Sequence, residues 1–272
     1  MILDETKHLL RTYRITPNKL LGQNFMLDPL LYDKLCTYAS LAASDVVLDA
    51  GAGFGFLTRF LSDKCKSVIA VEKDPQIARV LRQQLRNLAN VTVIEGDVLK
   101  AKLPDFNKVI AIPPYYLSSE FIVWLLERNI ECAVMILQKE FANRLVAVVG
   151  SDDYGWLTVL TFQRAEAKIF EGVSKSAFYP QPEVDSVIVS LKPWSKSPFE
   201  VRDKLFFKQL TKWLFTQRNK KLAKALVPFL KTNLRLDKQE AEKLASSLPF
   251  QERRARELLP EHFGELANVI CA

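Results

Sequence analysis

The chain has 272 residues, 49% of them hydrophobic, enough for one large domain and a small one. Its formal net charge of +7 favours a polyanionic partner such as nucleic acid. Four dispersed cysteines and two histidines argue against a disulfide frame, a His-based metal site and a Ser-His-Asp triad. No apolar run reaches the length of a membrane span and no signal peptide opens the chain, so a cytoplasmic protein without membrane contact is expected.

The first thirty residues read as polar and irregular after a short helical start. Val46–Asp49 reads as the first strand and Phe56–Asp63 as a helix. Ser67–Val71 is a second strand that ends in Glu72. Pro75–Arg86 has helical spacing, with Pro75 suited to a first turn. Val91–Ile94 and Lys108–Ile112 read as the third and fourth strands. Ser118–Glu127 is helical, with Ser118 or Ser119 as its cap rather than as a nucleophile. Cys132–Leu137 is a fifth strand and Lys139–Val149 another helix. This alternation predicts an α/β fold with a parallel sheet covered on both faces. Ala167–Val173 and Ser186–Leu191 read as an antiparallel pair closing the sheet. Residues 193–198 form a Pro- and Ser-rich linker, and everything from Val201 to Ala272 is helical in pattern.

After the first strand the chain enters a loop with Gly51, Gly53 and Gly55. Glycines at this spacing let backbone pass close to a ligand, because no Cβ intervenes. In doubly wound sheets this turn holds nucleoside cofactors. Glu72, at the end of strand two, is placed to accept hydrogen bonds from ribose hydroxyls. Asp97, after strand three, is placed to accept one from an adenine amine. Each carboxylate alone is more readily a solvated strand end; the set is more specific. The spacing is GxGxG rather than the dinucleotide GxGxxG. That suits a cofactor with one nucleoside and no phosphate, such as S-adenosylmethionine, with an NAD-type cofactor as the alternative.

Several motifs in order resemble the KsgA/RsmA ribosomal RNA adenine dimethyltransferases, over nearly the whole chain. Leu21–Asp28 resembles the family's GQNFL segment, and Gly51–Thr58 its GxGxGxLT loop. Asp152–Gly155 resembles its DYG segment, Ser176–Ser186 its SAFxPxPxVDS loop, and Leu214–Leu222 its LFxQRRKTL stretch. The resemblance implies a Rossmann-like class I methyltransferase sheet with an N-terminal arm over residues 1–194. It also implies a small all-helical rRNA-binding domain over 199–272. S-adenosylmethionine would be bound by Gln23, Asn24, Met26, Gly51, Gly53, Glu72, Asp97, Val98 and Ile112. The implied reaction is N6,N6-dimethylation of two adjacent adenosines near the 3′ end of small-subunit (16S-type) rRNA, within ribosome biogenesis. The implied partners are that rRNA and the immature small subunit, and the protein is expected to be a monomer. Basic positions between 202 and 224 would hold RNA through its phosphates, unless they are simply a solvated helix face.

The family's catalytic N-[LI]-P-Y motif falls on Ile112, Pro113, Pro114 and Tyr115. An adenine amine is a poor nucleophile, because its lone pair is delocalised into the ring. Two acceptors, the Asn side-chain oxygen and the next carbonyl, favour a tetrahedral nitrogen aimed at the methyl group. The aromatic residue stacks on the extruded base. Tyr115 and Pro114 match, and the Pro113 carbonyl still accepts. Ile112 does not. One lost hydrogen bond costs on the order of 1–3 kcal/mol, roughly tenfold to a hundredfold in rate. Ile112→Asn is expected to raise turnover unless another group fills the role; Asn107 precedes the strand and is no obvious substitute. Phe178 is the second stacking candidate, with a core aromatic as the alternative. Tyr116 reads as either core or rim. Two other functions stay open: a small-subunit assembly factor that methylates weakly or not at all, and a relative acting on large-subunit rRNA.

Overall fold

The computed structural model describes residues 2–18 and 21–271. Lys19 and Leu20, inside the stretch read as irregular, and Ala272, at the end of the helical stretch, lie outside the described residues. The chain divides into two compact units, Met1–Ala142 with Glu166–Pro193, and Asn143–Ala165 with Trp194–Ala272.

The first unit is built on a seven-stranded mixed sheet. Its strands are β2 (Val46–Ala50), β3 (Ser67–Glu72), β4 (Val91–Glu95), β5 (Lys108–Ala111), β6 (Cys132–Gln138), β7 (Ala165–Val173) and β9 (Ser186–Pro193). Their order is β4-β3-β2-β5-β6-β9-β7. The pairs from β4 to β6 are parallel, and β9 runs antiparallel to β6. Val47, Leu48, Val68, Ala70, Val109 and Ile110 are all fully buried. Such continuous apolar runs are what a parallel sheet covered on both faces requires. Helices α3 (Phe56–Ser62), α4 (Pro75–Leu85) and α5 (Ser118–Leu126) connect the strands. In α4, Asp74 caps the first turn by accepting from the Gln76 and Ile77 amides, with Pro75 at the first position. The sheet reverses direction of winding at β2, whose neighbours are β3 and β5. The tips of β2 and β5 therefore form the switch point, where ligands bind in such folds.

Five elements depart from the sequence expectation. Helix α1 (Ile2–Thr12) is the expected helical start, but α2 (Pro29–Tyr38) follows where no helix was read. It has a proper start, with Asp28 accepting from the Leu30 amide and Pro29 in the first turn. A two-residue strand, β1 (Phe25–Met26), pairs antiparallel with β8 (Phe178–Tyr179), Phe25 opposite Tyr179 and Met26 opposite Phe178. The Leu27 amide extends this ladder onto the Ala177 carbonyl at 2.7 Å. Helix α6 (Lys139–Leu145) ends one turn before Val149, and α7 (Trp156–Arg164) was not expected at all.

The second unit is helical, as its sequence pattern predicts. It contains α8 (Lys204–Thr216), α9 (Leu222–Leu234), α10 (Lys238–Ser247) and α11 (Pro260–Ile270). Residues 143–165, which the sequence reading left with the sheet, group here instead. Buried Tyr154 donates to the Leu258 carbonyl at 2.7 Å and meets Phe215 edge-on. The expected linker is tied down: Ser197 Oγ donates to the Gln163 carbonyl at 2.9 Å.

Candidate active site

The glycine loop at the tip of β2 depends on left-handed backbone. Gly51 has φ of 81° and Gly53 of 57°. A Cβ on Gly51 would stand 3.0 Å from Pro114 Cδ, and one on Gly53 would stand 3.3 Å from the Phe25 ring. Both sites therefore need glycine for conformation and for space. The amides of Gly51 and Ala52 donate to the Val71 carbonyl at 2.9 and 3.0 Å, which ties the loop to β3. Glu72 braces it further, its carboxylate accepting from Gly53 N at 2.9 Å and Asp74 N at 2.8 Å. Burial holds the Glu72 carboxyl above its ordinary range, although these backbone donors pull it down.

Around this loop lies one cleft lined by Gln23, Asn24, Gly51, Gly53, Glu72, Asp97, Val98 and Ile112, together with Pro114. All but one of the residues assigned to the donor thus meet in one place. Met26 is the exception: buried in β1, it lines an adjoining apolar pocket with Asn24, Asp49, Gly51 and Ile112. Asp97 accepts from the Leu99 amide at 3.1 Å and pairs with Lys73 at 3.2 Å. Its burial is outweighed by those two partners, so its carboxyl sits below the ordinary range. Lys73 also lies 5.8 Å from the centre of the Tyr116 ring, which lines the cleft and is half exposed. Tyr116 is therefore a rim residue. Gln23 is committed at both ends, accepting from Asn18 N at 2.7 Å and donating to Asp74 Oδ2 at 2.8 Å.

The corner after β5 follows. Ile112 is half-buried, lines both the cleft and the adjoining pocket, and offers no polar side-chain atom. Pro113 is buried, and Pro114 faces the cleft. Tyr115 starts a 3₁₀ turn through Leu117, and its hydroxyl shares a short hydrogen bond with buried Ser186 at the start of β9. Ser118 is not a cap. Leu117 occupies the cap position of α5, and Ser118 Oγ donates back to the Tyr115 carbonyl at 2.9 Å. Phe178, expected to offer a stacking face, is 1% exposed and packed in the core opposite Met26. Asn107 is fully engaged at the far end of β5, accepting from Val46 N and donating to Asp45.

One group escaped sequence reasoning. Asp49 is buried beside the glycine loop and accepts from Thr58 Oγ1 at 2.7 Å. Burial pushes its carboxyl up to about 7, against the pull of Thr58 and with a further push from Glu72. An acidic residue ending a strand in otherwise apolar sequence was the available signal. In the second unit the basic stretch is mixed in role. Arg218 donates to the carbonyls of Ser151 and Asp152 at 3.1 Å, Lys221 pairs with Glu252 at 2.6 Å, and Lys212 lies 4.4 Å over Trp156. Lys204, Lys220 and Lys224 are exposed.

The family model for ribosomal RNA adenine dimethylase matches residues 15–258. A probable ribosomal RNA small subunit methyltransferase A from Methanosarcina acetivorans is 40% identical over 91% of each chain. Its namesake from Thermococcus kodakarensis is 38% identical over 98% of this chain and 95% of its own. The solved dimethyladenosine transferase from Plasmodium falciparum superposes with a TM-score of 0.77 at 28% identity, covering 89% of this chain and 95% of its own. The 23S rRNA methyltransferase ErmE gives 0.65 at 28% identity, over 92% of this chain and all of its own. The seven-stranded sheet is thus a class I methyltransferase sheet, and the chain belongs to the ribosomal RNA adenine dimethylase family.

Proposed function

We propose that the protein transfers methyl groups from S-adenosylmethionine to the N6 amines of two adjacent adenosines near the 3′ end of small-subunit rRNA, during subunit assembly. The observation that carries this reading is the convergence of Glu72, Asp97, the glycine loop and Pro114 on one cleft at the switch point. The residues fit a nucleoside. Glu72 keeps lone pairs for ribose hydroxyls, Asp97 stands one strand further for an adenine amine, and Ile77 and Val98 give an apolar lining between them. Glycine backbone at 51 and 53 forms a floor that a Cβ would fill. When bound, the donor supplies a methyl group on a sulfonium, which departs as a neutral thioether.

The chain's own groups do the rest. The Pro113 carbonyl accepts one hydrogen of the target amine. Base stacking falls to Tyr115, whose ring is held at its far end by Ser186. Phe178 takes part only after its surroundings open. Exposed lysines of the helical unit, Lys204, Lys220 and Lys224, hold rRNA phosphates. A second reading is favoured by Ile112: an assembly factor that binds the immature subunit and methylates little.

Incubating the protein and S-adenosylmethionine with unmethylated small subunits decides between them. Mass spectrometry of the rRNA is expected to find paired dimethyladenosines. Binding to subunits with no methyl transfer would establish the second reading instead.

A further inference from the structure

The substitution at Ile112 leaves the amine without a side-chain acceptor from β5. We propose that Asn24 supplies it, from the N-terminal arm rather than the catalytic corner; this rests on the methyl-transfer reading above. Asn24 and Ile112 line the same two cavities, the donor cleft and the apolar pocket beside it. The arm abuts the corner directly, for a Cβ on Gly22 would come within 3.2 Å of Pro114 Cβ and 3.5 Å of the Tyr115 amide.

The orientation of the Asn24 amide follows from its one hydrogen bond. Nδ2 donates to the Gly22 carbonyl at 3.2 Å. Only the NH2 end donates to a carbonyl, so Oδ1 is the other end. Among the described residues Oδ1 has no hydrogen-bond partner. Gln23, the other amide lining the cleft, has both ends occupied, and so has Asn107. The position is also held firmly. Phe25, the next residue, stacks on Phe54 with ring centres 4.4 Å apart, and β1 is fixed to β8. A functional group placed on a rigid element keeps the geometry that catalysis needs.

In the resulting arrangement the amine donates one hydrogen to Asn24 Oδ1 and the other to the Pro113 carbonyl. Its lone pair turns out of the ring plane and forms the N–C bond. The S–C bond breaks with its electron pair remaining on sulfur, and one amine proton passes to solvent. Ile112 then contributes an apolar wall beside the amine.

The test compares wild type, Asn24→Ala, Ile112→Asn and the double variant on unmethylated small subunits, in single turnover at saturating S-adenosylmethionine. Donor affinity is measured separately by calorimetry. Asn24→Ala is expected to slow transfer about tenfold to a hundredfold, the effect of one acceptor. Ile112→Asn is expected, in the double variant, to restore most of what Asn24→Ala lost. Failure of that rescue, or full activity of Asn24→Ala, overturns the proposal. A loss confined to donor affinity overturns it too and makes Asn24 a donor ligand only. Asn24→Leu, which also lacks an acceptor, gives the same comparison should the alanine variant fold poorly. A wild type that binds subunits but transfers nothing defeats the methyl-transfer reading itself; an active wild type without rescue defeats only this assignment.

Discussion

Asp49 shows what a single buried carboxyl does to the stability of this protein. Its proton is held up to about pH 7 in the native state, whereas an unfolded aspartate releases it near pH 4. The native state therefore binds more protons between those values. Stability from this group is complete below about pH 4, declines as pH rises, and is gone above about pH 7. Glu72 is shifted in the same direction and adds to the decline. Asn in place of Asp49 keeps an acceptor for Thr58 and removes the titration. Thermal midpoints of Asp49→Asn, measured across that range, are expected to fall less with pH than those of wild type. An equal fall would assign the dependence elsewhere. The same residue shows a limit of sequence reading: the position of Asp49 at a strand tip was visible, but not that Thr58 and the glycine loop would seal it from water. Glu72 and Asp97, by contrast, were legible as a pair, because strand ends fall at regular intervals in an alternating βα chain. Tyr116 could not be placed from sequence, since one turn of backbone decides between core and rim.

At the level of elements, local signals account for what was read and what was missed. The strands β2 to β6 are apolar runs bounded by Gly, Pro or capping residues, and each was found within a residue or two. Helix α2 was missed although Asp28-Pro29 announces it, because its ten residues follow no strong helical stripe and its buried face carries Tyr32 and Cys36 beside two leucines. The β1–β8 ladder was beyond reach, since two residues carry no periodicity and their partners lie about 150 positions away in sequence. Its contribution is measurable. Leu27→Pro removes the amide that bonds to the Ala177 carbonyl, while Met26 before it is already extended, as proline demands of its predecessor. The direct loss is about 1 kcal/mol. Hydrogen exchange is expected to show faster exchange in residues 22–28 and calorimetry a weaker donor affinity, with the thermal midpoint little changed. Unaltered donor affinity would show that the arm holds its place without the ladder.

Over the whole molecule, net charge was a correct hint of class and a poor guide to individual residues. Of eight basic positions between 202 and 224, Lys212, Arg218 and Lys221 are engaged inside their own unit. Those ties cross more than thirty positions of sequence or depend on a neighbouring helix, which no charge count reveals. The exposed lysines carry the clearer prediction. Reversing Lys220 or Lys224 to Glu is expected to weaken rRNA binding and to lower the salt dependence by about one counterion per site. Titrations of affinity against salt concentration check this, and an unchanged slope would exclude the site from the phosphate contacts. A last consequence belongs to the β1–β8 ladder. Any movement of the arm over the donor cleft strains the same hydrogen bonds that order the Phe178 strand. If donor binding changes the order of the Phe178 strand through this ladder, reciprocity requires that order in that strand change donor affinity by the same factor.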